Sequence, residues 1–195
     1  MGDMAVPKVG MEPIRRSALV QATIAEIGAA GSLDVTVGQI ARRAGMSTAL
    51  AHHYFGGKDQ IFLAAMRHIL TEYATEVRAA LAKATGHADR AAAIVRGSFA
   101  QSCFAPATIS AWMTFYGRAA SHPETLRLLH LYQRRLRSNL THALRGVSAD
   151  PVNDAETMAA LIDGLYLRAA LSGRDDHDAC DAALRTLNTL IERQP

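Results

Sequence analysis

The sequence predicts an all-α chain of about nine helices, on three observations. Apolar residues recur at i, i+3, i+4 and i+7 through most of the 195 residues, the spacing that lines one face of a helix. Glycine and proline sit between those runs, at Gly31, Gly45, Gly56, Gly57, Pro106, Pro123, Gly146, Pro151 and Gly173, where they break or cap helices. No run alternates with the period of two that a strand requires.

The elements follow in order. Residues Met1 to Met11 carry two glycines and Pro7 without periodicity and read as an arm, with Lys8, Arg15 and Arg16 in and just after it. Helix one is expected from about Pro13 to Ala30. Pro13 suits its first turn, Val20, Thr23, Ile24 and Ile27 share a stripe, and Gly31 is placed to cap the end. Helix two starts at Thr36, whose hydroxyl can cap free N–H groups; Val37, Ile40, Ala41 and Ala44 form its apolar face. Helix three starts at Ser47 and runs to about Phe55, with Ala51, Tyr54 and Phe55 turned inward. It is about 12 Å long at 1.5 Å per residue, too short to be stable unless neighbours hold it. Helix four opens near Lys58, carries Ile61, Phe62, Ala65, Met66 and Ile69, and continues to about Ala82. Five more helices are expected at about Asp89 to Cys103, Pro106 to Ala120, Pro123 to Leu144, Asp154 to Leu171 and Asp178 to Glu192.

Composition narrows the function. An apolar fraction of 49% is enough for a core. The net charge of +3 and pI near 9.1 hint only weakly at nucleic acid. The stretch Thr36 to Lys58 is sharper: it holds Arg42, Arg43 and Lys58 and no acid. Cys103 and Cys180 lie far apart without a CxxC and are expected to be reduced packing residues of a cytoplasmic chain. The first residues lack the apolar core of a signal peptide. No apolar run reaches the roughly 20 residues that span a bilayer, so no membrane partner is expected. GxSxG, Walker, GxGxxG and HExxH motifs are all missing, so neither an enzyme nor a cofactor is expected. His52 and His53 are adjacent on a helix, so their side chains diverge, and no further ligands lie near them; no metal site is expected.

Short helices two and three, joined through Gly45, fit a helix-turn-helix. With its inner face pinned, the third helix presents Thr48, Ala49, His52 and His53 outward, toward a major groove. Thr48 can meet a base, and small residues at 48 and 49 allow close approach. His52, His53, Thr36 and Lys58 suit phosphate oxygens, Lys58 because it opens helix four, whose free N–H groups also attract anions. Most such contacts position the protein, and few specify sequence.

"TVGQIARRAGMSTALAHHYFGGKDQI" closely resembles the DNA-binding signature of the TetR-type repressors, with Tyr54-Phe55 followed by Lys58 as its most specific mark. "PKVGMEPIRRSALVQATI", "AW" at 111–112, "RRLRSNL" at 134–140 and "AALIDGLYLRAALSG" at 159–173 resemble the choline-responsive repressors of glycine betaine synthesis within that family. The resemblance spans nearly the whole chain and is weakest between Ala79 and Ile109. It implies a DNA-binding domain over residues 12–72, contacting operator DNA through Thr36, Arg43, Ser47, Thr48, Ala49, His52, His53, Tyr54 and Lys58. It implies a ligand-binding and dimerisation domain over 73–195, choline as effector, and a homodimer. The alternative is a TetR-type repressor of other genes that answers to a different cationic or apolar molecule.

Within the second domain, Trp112, Phe115 and Tyr116 share a helix face. They read either as core or as part of a cage for a quaternary ammonium group, which Phe99, Tyr132 and Tyr166 complete. Asp163 stands in an apolar run. It balances a cationic ligand or pairs with an arginine such as Arg168 across a dimer seam; a buried carboxylate needs a partner either way. The last two helices carry stripes at Met158, Leu161, Ile162 and Leu165, and at Leu184, Leu187, Leu190 and Ile191. These read as intrachain core, or, by the resemblance, as a four-helix seam between two copies.

Overall fold

The computed structural model describes residues 10–172 and 176–192. Residues 1–9 of the expected arm, and the expected break at Gly173, lie outside that range. Among the described residues there are nine α-helices and one 3-10 turn, and no strand. They are α1 (Met11–Ala30), α2 (Val37–Arg43), α3 (Thr48–Phe55), α4 (Lys58–Leu81), α5 (His87–Ser98), the turn Gln101–Phe104, α6 (Pro106–Ala119), α7 (Pro123–Leu144), α8 (Pro151–Ser172) and α9 (Asp176–Glu192).

The first three helices are set by their ends. Gly31 takes the left-handed conformation at φ 64° and returns its N–H to Ile27 O at 2.8 Å, closing α1 as a side chain with a Cβ would resist doing. Thr36 and Gln39 form a reciprocal capping box at the start of α2. Gly45, at φ 67°, makes the turn into α3, and the Ser47 hydroxyl accepts the Leu50 N–H at 3.2 Å. Leu19, Ile27, Ile40, Ala41 and Ala51 are buried together with Ile61, Phe62 and Met66 of α4. Each large side chain removed from water in this way contributes about 1.5–3 kcal/mol.

Several boundaries differ from expectation, and three have a clear local cause. α1 starts at Met11, so Pro13 sits deeper in the first turn, where its missing N–H is no loss. α8 starts at Pro151 rather than Asp154 because proline suits the first helical position and Asp150 caps it, its carboxylate accepting the Asn153 N–H at 3.2 Å. α5 stops at Ser98, not Cys103. The Ser98 hydroxyl folds back on Ile94 O at 2.9 Å, Phe99 leaves helical geometry to be buried, and a short 3-10 turn follows.

Two features place the functional regions. α4 is one unbroken helix of 24 residues without glycine or proline, so the expected division between residues 72 and 73 falls inside a continuous rod. α6 lies against α1 with no spare room: a Cβ on Gly28 would come within 2.6 Å of the Ala107 Cβ. Among the described residues no helix is long and apolar enough to cross a membrane.

Candidate functional site

Two regions carry chemistry, one at the start of α4 and one beside its second half. The first is the exposed face of α2 and α3. Thr36, Ser47, Thr48, Ala49, His52 and His53 are exposed there, and Lys58 is half-buried at the first position of α4. The inward side of α3 is held from α1. Arg16 donates to Tyr54 O at 2.6 Å and lays its guanidinium 4.5 Å from the centre of the Phe55 ring, and Arg15 donates to the Tyr54 hydroxyl at 3.4 Å. The paired arginines, expected in and just after an arm, therefore clamp a helix too short to stand alone.

Several expected contact residues have local bonds. Arg43 is bound to Glu26 of α1, so its guanidinium is directed back toward the protein. The Thr36 hydroxyl accepts from Gln39 N–H and donates to the Gln39 side chain at 2.9 Å, which leaves it no free proton. His52 Nδ1 lies 2.9 Å from Gly56 O. A carbonyl only accepts, so Nδ1 carries the proton and Nε2 remains available. Tyr54 is half-buried with its hydroxyl on Arg15. Thr48, Ala49 and Lys58 are in no side-chain hydrogen bond or ion pair among the described residues.

The second region is a narrow, partly open pocket among α4 to α8, with a free volume of about 20 Å³. Of the residues expected there, Trp112, Tyr116, Tyr132, Asp163 and Tyr166 line it. Phe115 and Phe99 do not. Phe115 is fully buried behind Trp112, ring centres 5.6 Å apart, and Phe99 stacks on Phe104, which in turn leans on Tyr166. Neither has a polar atom, so both settle in the packing behind the wall. Tyr73, Ser98, Cys103 and Ile162 complete the lining; the sequence reading missed them. Tyr73 continues the α4 stripe four residues after Ile69, and a tyrosine on a buried stripe needs a polar outlet. That was the available signal.

The hydroxyls are fixed one by one. Ser98 gives its single proton to Ile94 O, so the Tyr73 hydroxyl, 3.0 Å away, is the donor to Ser98 Oγ. Tyr166 donates to Cys103 O at 2.9 Å. Tyr132 donates to Asp163 Oδ1 at 2.8 Å, and the Tyr116 phenol stands near the same carboxylate. Trp112 is the hub of the wall, with ring centres 5.6 Å from Tyr116, 5.1 Å from Tyr132 and 6.4 Å from Tyr166. Burial pushes the Tyr73 phenol up to about 12 and the Cys103 thiol up to about 11, so both are neutral near pH 7. Burial also raises Asp163 above the ordinary carboxylate value, and the Tyr132 hydrogen bond and the nearby Tyr116 phenol oppose that rise. Asp163 makes no ion pair among the described residues, and Arg168 is exposed on the same helix. The lining thus offers the electron-rich faces of several rings and one acidic group without a cation. No group of three or more His, Cys, Asp or Glu suited to a metal occurs among the described residues.

Two family models match the chain. Residues 19–65 match the family model for bacterial regulatory proteins of the tetR family, and residues 87–194 match that for the BetI-type transcriptional repressor, C-terminal. The HTH-type transcriptional regulator BetI of Brucella suis is 51% identical over 179 residues, covering 91% of this chain and 90% of that protein. Among solved structures, a transcriptional regulator from Pseudomonas aeruginosa superposes with a TM-score of 0.81 at 24% identity, covering 93% of this chain and 92% of that one. A transcriptional regulator from Saccharomonospora viridis, solved in complex with choline, superposes with a TM-score of 0.77 at 22% identity, covering 93% and 97%. The chain belongs to the TetR family of DNA-binding transcriptional regulators and, through its C-terminal half, to the BetI-type repressors within it.

Proposed function

We propose that this regulator represses genes that convert choline to glycine betaine, and that choline, seated in the aromatic cavity, is its effector. The observation that carries the reading is Asp163, an acidic group without a cation in a wall of tyrosine and tryptophan rings. A quaternary ammonium group cannot donate a hydrogen bond. It offers a diffuse positive charge and apolar methyls, which ring faces and a nearby carboxylate match; each cation–π contact contributes about 0.5–2 kcal/mol. The choline-bound Saccharomonospora viridis regulator, a neighbour in fold, supports the same ligand.

In this reading residues 12–72 grip the operator, and residues 73–195 bind the effector and pair two copies. Met158, Ile162 and Leu187 are spent on the chain's own core, whereas Leu161, Leu165, Leu184, Leu190 and Ile191 stay partly open, and Leu171 is 72% exposed. These open residues of α8 and α9 are the seam of the homodimer. Pairing sets two copies of α3 about 34 Å apart on successive major grooves. Choline presses on Tyr73 of α4 and on Trp112 and Tyr116 of α6, shifts α4 and changes the spacing of the two reading helices. Coupling of this kind is typically about 1–3 kcal/mol, a 5- to 150-fold change in operator affinity.

The test pairs calorimetric titration of choline into the protein with operator binding measured with and without choline. Saturable binding with weaker operator affinity is expected. Choline that binds and leaves operator affinity unchanged would sink the mechanism. Failure of choline, with binding of another organic cation, would assign a different effector.

A further inference from the structure

α6 touches both functional regions. Trp112 and Tyr116 form part of the cavity wall. Two residues on, Arg118 reaches the other way, its Nη2 donating to Asp59 Oδ1 at 2.7 Å. Asp59 is the second residue of α4, next to Lys58 and one short turn past the end of α3. The Arg118 guanidinium also lies 5.9 Å from the centre of the Phe62 ring. Its side chain is only 23% exposed, and its Nε is buried without a hydrogen-bond partner.

That unpartnered Nε is informative. A guanidinium can satisfy its donors by turning toward water. Arg118 instead keeps one donor unmet in order to stay on Asp59 and Phe62, so its position is tightly held yet not fully satisfied. Asp59 is 54% exposed, and an ion pair at the surface gives way more readily than an apolar seam. The other end of α6 contrasts with it: Ala107 rests on Gly28 of α1 with no space for an added atom. α6 therefore has a close-packed pivot at its start and an ionic clasp at its end.

α4 and α6 form a closed loop through the cavity. Tyr73 of α4 meets Tyr132 with ring centres 5.8 Å apart, and Tyr132 meets Trp112 of α6 at 5.1 Å. At the far end the same two helices meet again through Asp59 and Arg118. Along α4, Tyr73 and Asp59 are about 21 Å apart at 1.5 Å per residue.

We propose that the Arg118–Asp59 pair is the positioning contact that couples the effector cavity to the DNA-reading head. It rests on the reading of the cavity as an effector site. A ligand that displaces Trp112 and Tyr116 turns α6 about the Gly28–Ala107 pivot and pulls Arg118 off Asp59. The start of α4, and α3 with it, is then free to move. Neither residue need touch effector or base.

The experiment uses the full-length dimer, an operator duplex selected from a random library, and choline chloride. Wild type, Asp59→Asn, Arg118→Gln and Asp59→Glu are each assayed for operator affinity with and without choline, for choline affinity by calorimetry, and for amide hydrogen exchange over residues 58–66. Asp59→Asn removes a charge near DNA and shifts affinity in both conditions, so the readout is the ratio between them. The ratio is expected to fall to within about twofold of unity in Asp59→Asn and Arg118→Gln, with choline affinity within about threefold of wild type, and to recover in Asp59→Glu. Exchange over 58–66 is expected to quicken at least fivefold in the two uncoupled variants. A ratio retained in both variants overturns the proposal. A wild type blind to choline refutes the effector reading alone; unchanged exchange in both variants then overturns the clasp independently.

Discussion

The Tyr132 hydroxyl donates to the Asp163 carboxylate at 2.8 Å and so ties α7 to α8 across the wall of the cavity. The bond holds one carboxylate oxygen in place. It also favours the ionised form that burial disfavours, and burial is the larger influence, so the group titrates above its ordinary value of 3.8.

Asp163→Asn should therefore separate stability from binding. A folded-state pKa above the unfolded value means that the native protein takes up the proton first as pH falls. The ligand-free fold then gains stability as pH drops through the folded value toward 3.8, and it bears a desolvation penalty near neutrality. The amide removes that penalty while still accepting from Tyr132. Melting of the ligand-free variant at pH 7 should rise, by about 2–4 °C for each kcal/mol recovered. Choline affinity should fall at least about 10-fold, because the Coulombic attraction of the carboxylate for the quaternary ammonium is lost. In wild type, choline affinity should be flat near neutrality and weaken as pH falls through the raised value. An Asn variant that binds choline normally would remove Asp163 from the site.

Gly28→Ala tests the α1–α6 seam. In an open helix the change should stabilise by about 0.5–1 kcal/mol. Here the new methyl would meet the Ala107 Cβ at 2.6 Å and its Cα at 2.7 Å, so the helices must part, at about 1–3 kcal/mol. Urea unfolding should show a lower midpoint. A higher one would mean that the seam has slack.

The legible part of the fold was the part governed by local rules. Thr36, Ser47, Gly31 and Gly45 announced the ends of the reading head because caps and left-handed turns admit few residue types. The end of α5 had no such mark: Phe99 and Ala100 are ordinary helix residues, and burial of the Phe99 ring decided the matter. The cavity was legible by residue type but not by membership. Phe115 and Trp112 share a helix face, yet one is core and the other wall. Tyr73 was hidden on a stripe that otherwise reads as packing. The clamp of Arg15 and Arg16 on Tyr54 and Phe55 joins residues 38 or more positions apart, beyond the reach of any periodicity.

Arg16→Ala should weaken operator binding without removing a DNA-facing group. It frees Tyr54 O and uncovers the Phe55 ring. A cation–π contact of about 0.5–1 kcal/mol and one charged hydrogen bond would be lost, and α3 should fray. Hydrogen exchange of residues 48–55 should quicken. Operator affinity should fall by about 10-fold with little change in its salt slope, unlike a phosphate contact.

Lys58→Ala and Thr48→Ala should differ in kind. The lysine variant should bind all duplexes more weakly, with the salt slope reduced by about one unit. The threonine variant should change preference among sequences more than overall affinity. Titrations on operator and random duplexes at several salt concentrations distinguish them, and identical behaviour would undo the division between positioning and reading.

Leu171→Glu should weaken pairing of the two copies. The side chain is 72% exposed in the single chain, so the monomer fold should tolerate the change. Sedimentation should show a dimer that dissociates at higher protein concentration, and operator affinity should fall with it. An unaffected dimer would place the seam elsewhere.

The unbroken α4 has one more consequence. A single helix has its first residues at the reading head and Tyr73 in the pocket, and thermodynamic linkage between two coupled sites is reciprocal. On the proposed reading, whatever factor choline takes from operator affinity, the operator takes from choline affinity. The copies seated on DNA are then the poorer sensors, and free copies fill first. The concentration at which a gene responds is thus set partly by how well its own operator is bound, so promoters with weaker sites open earlier under one rising signal.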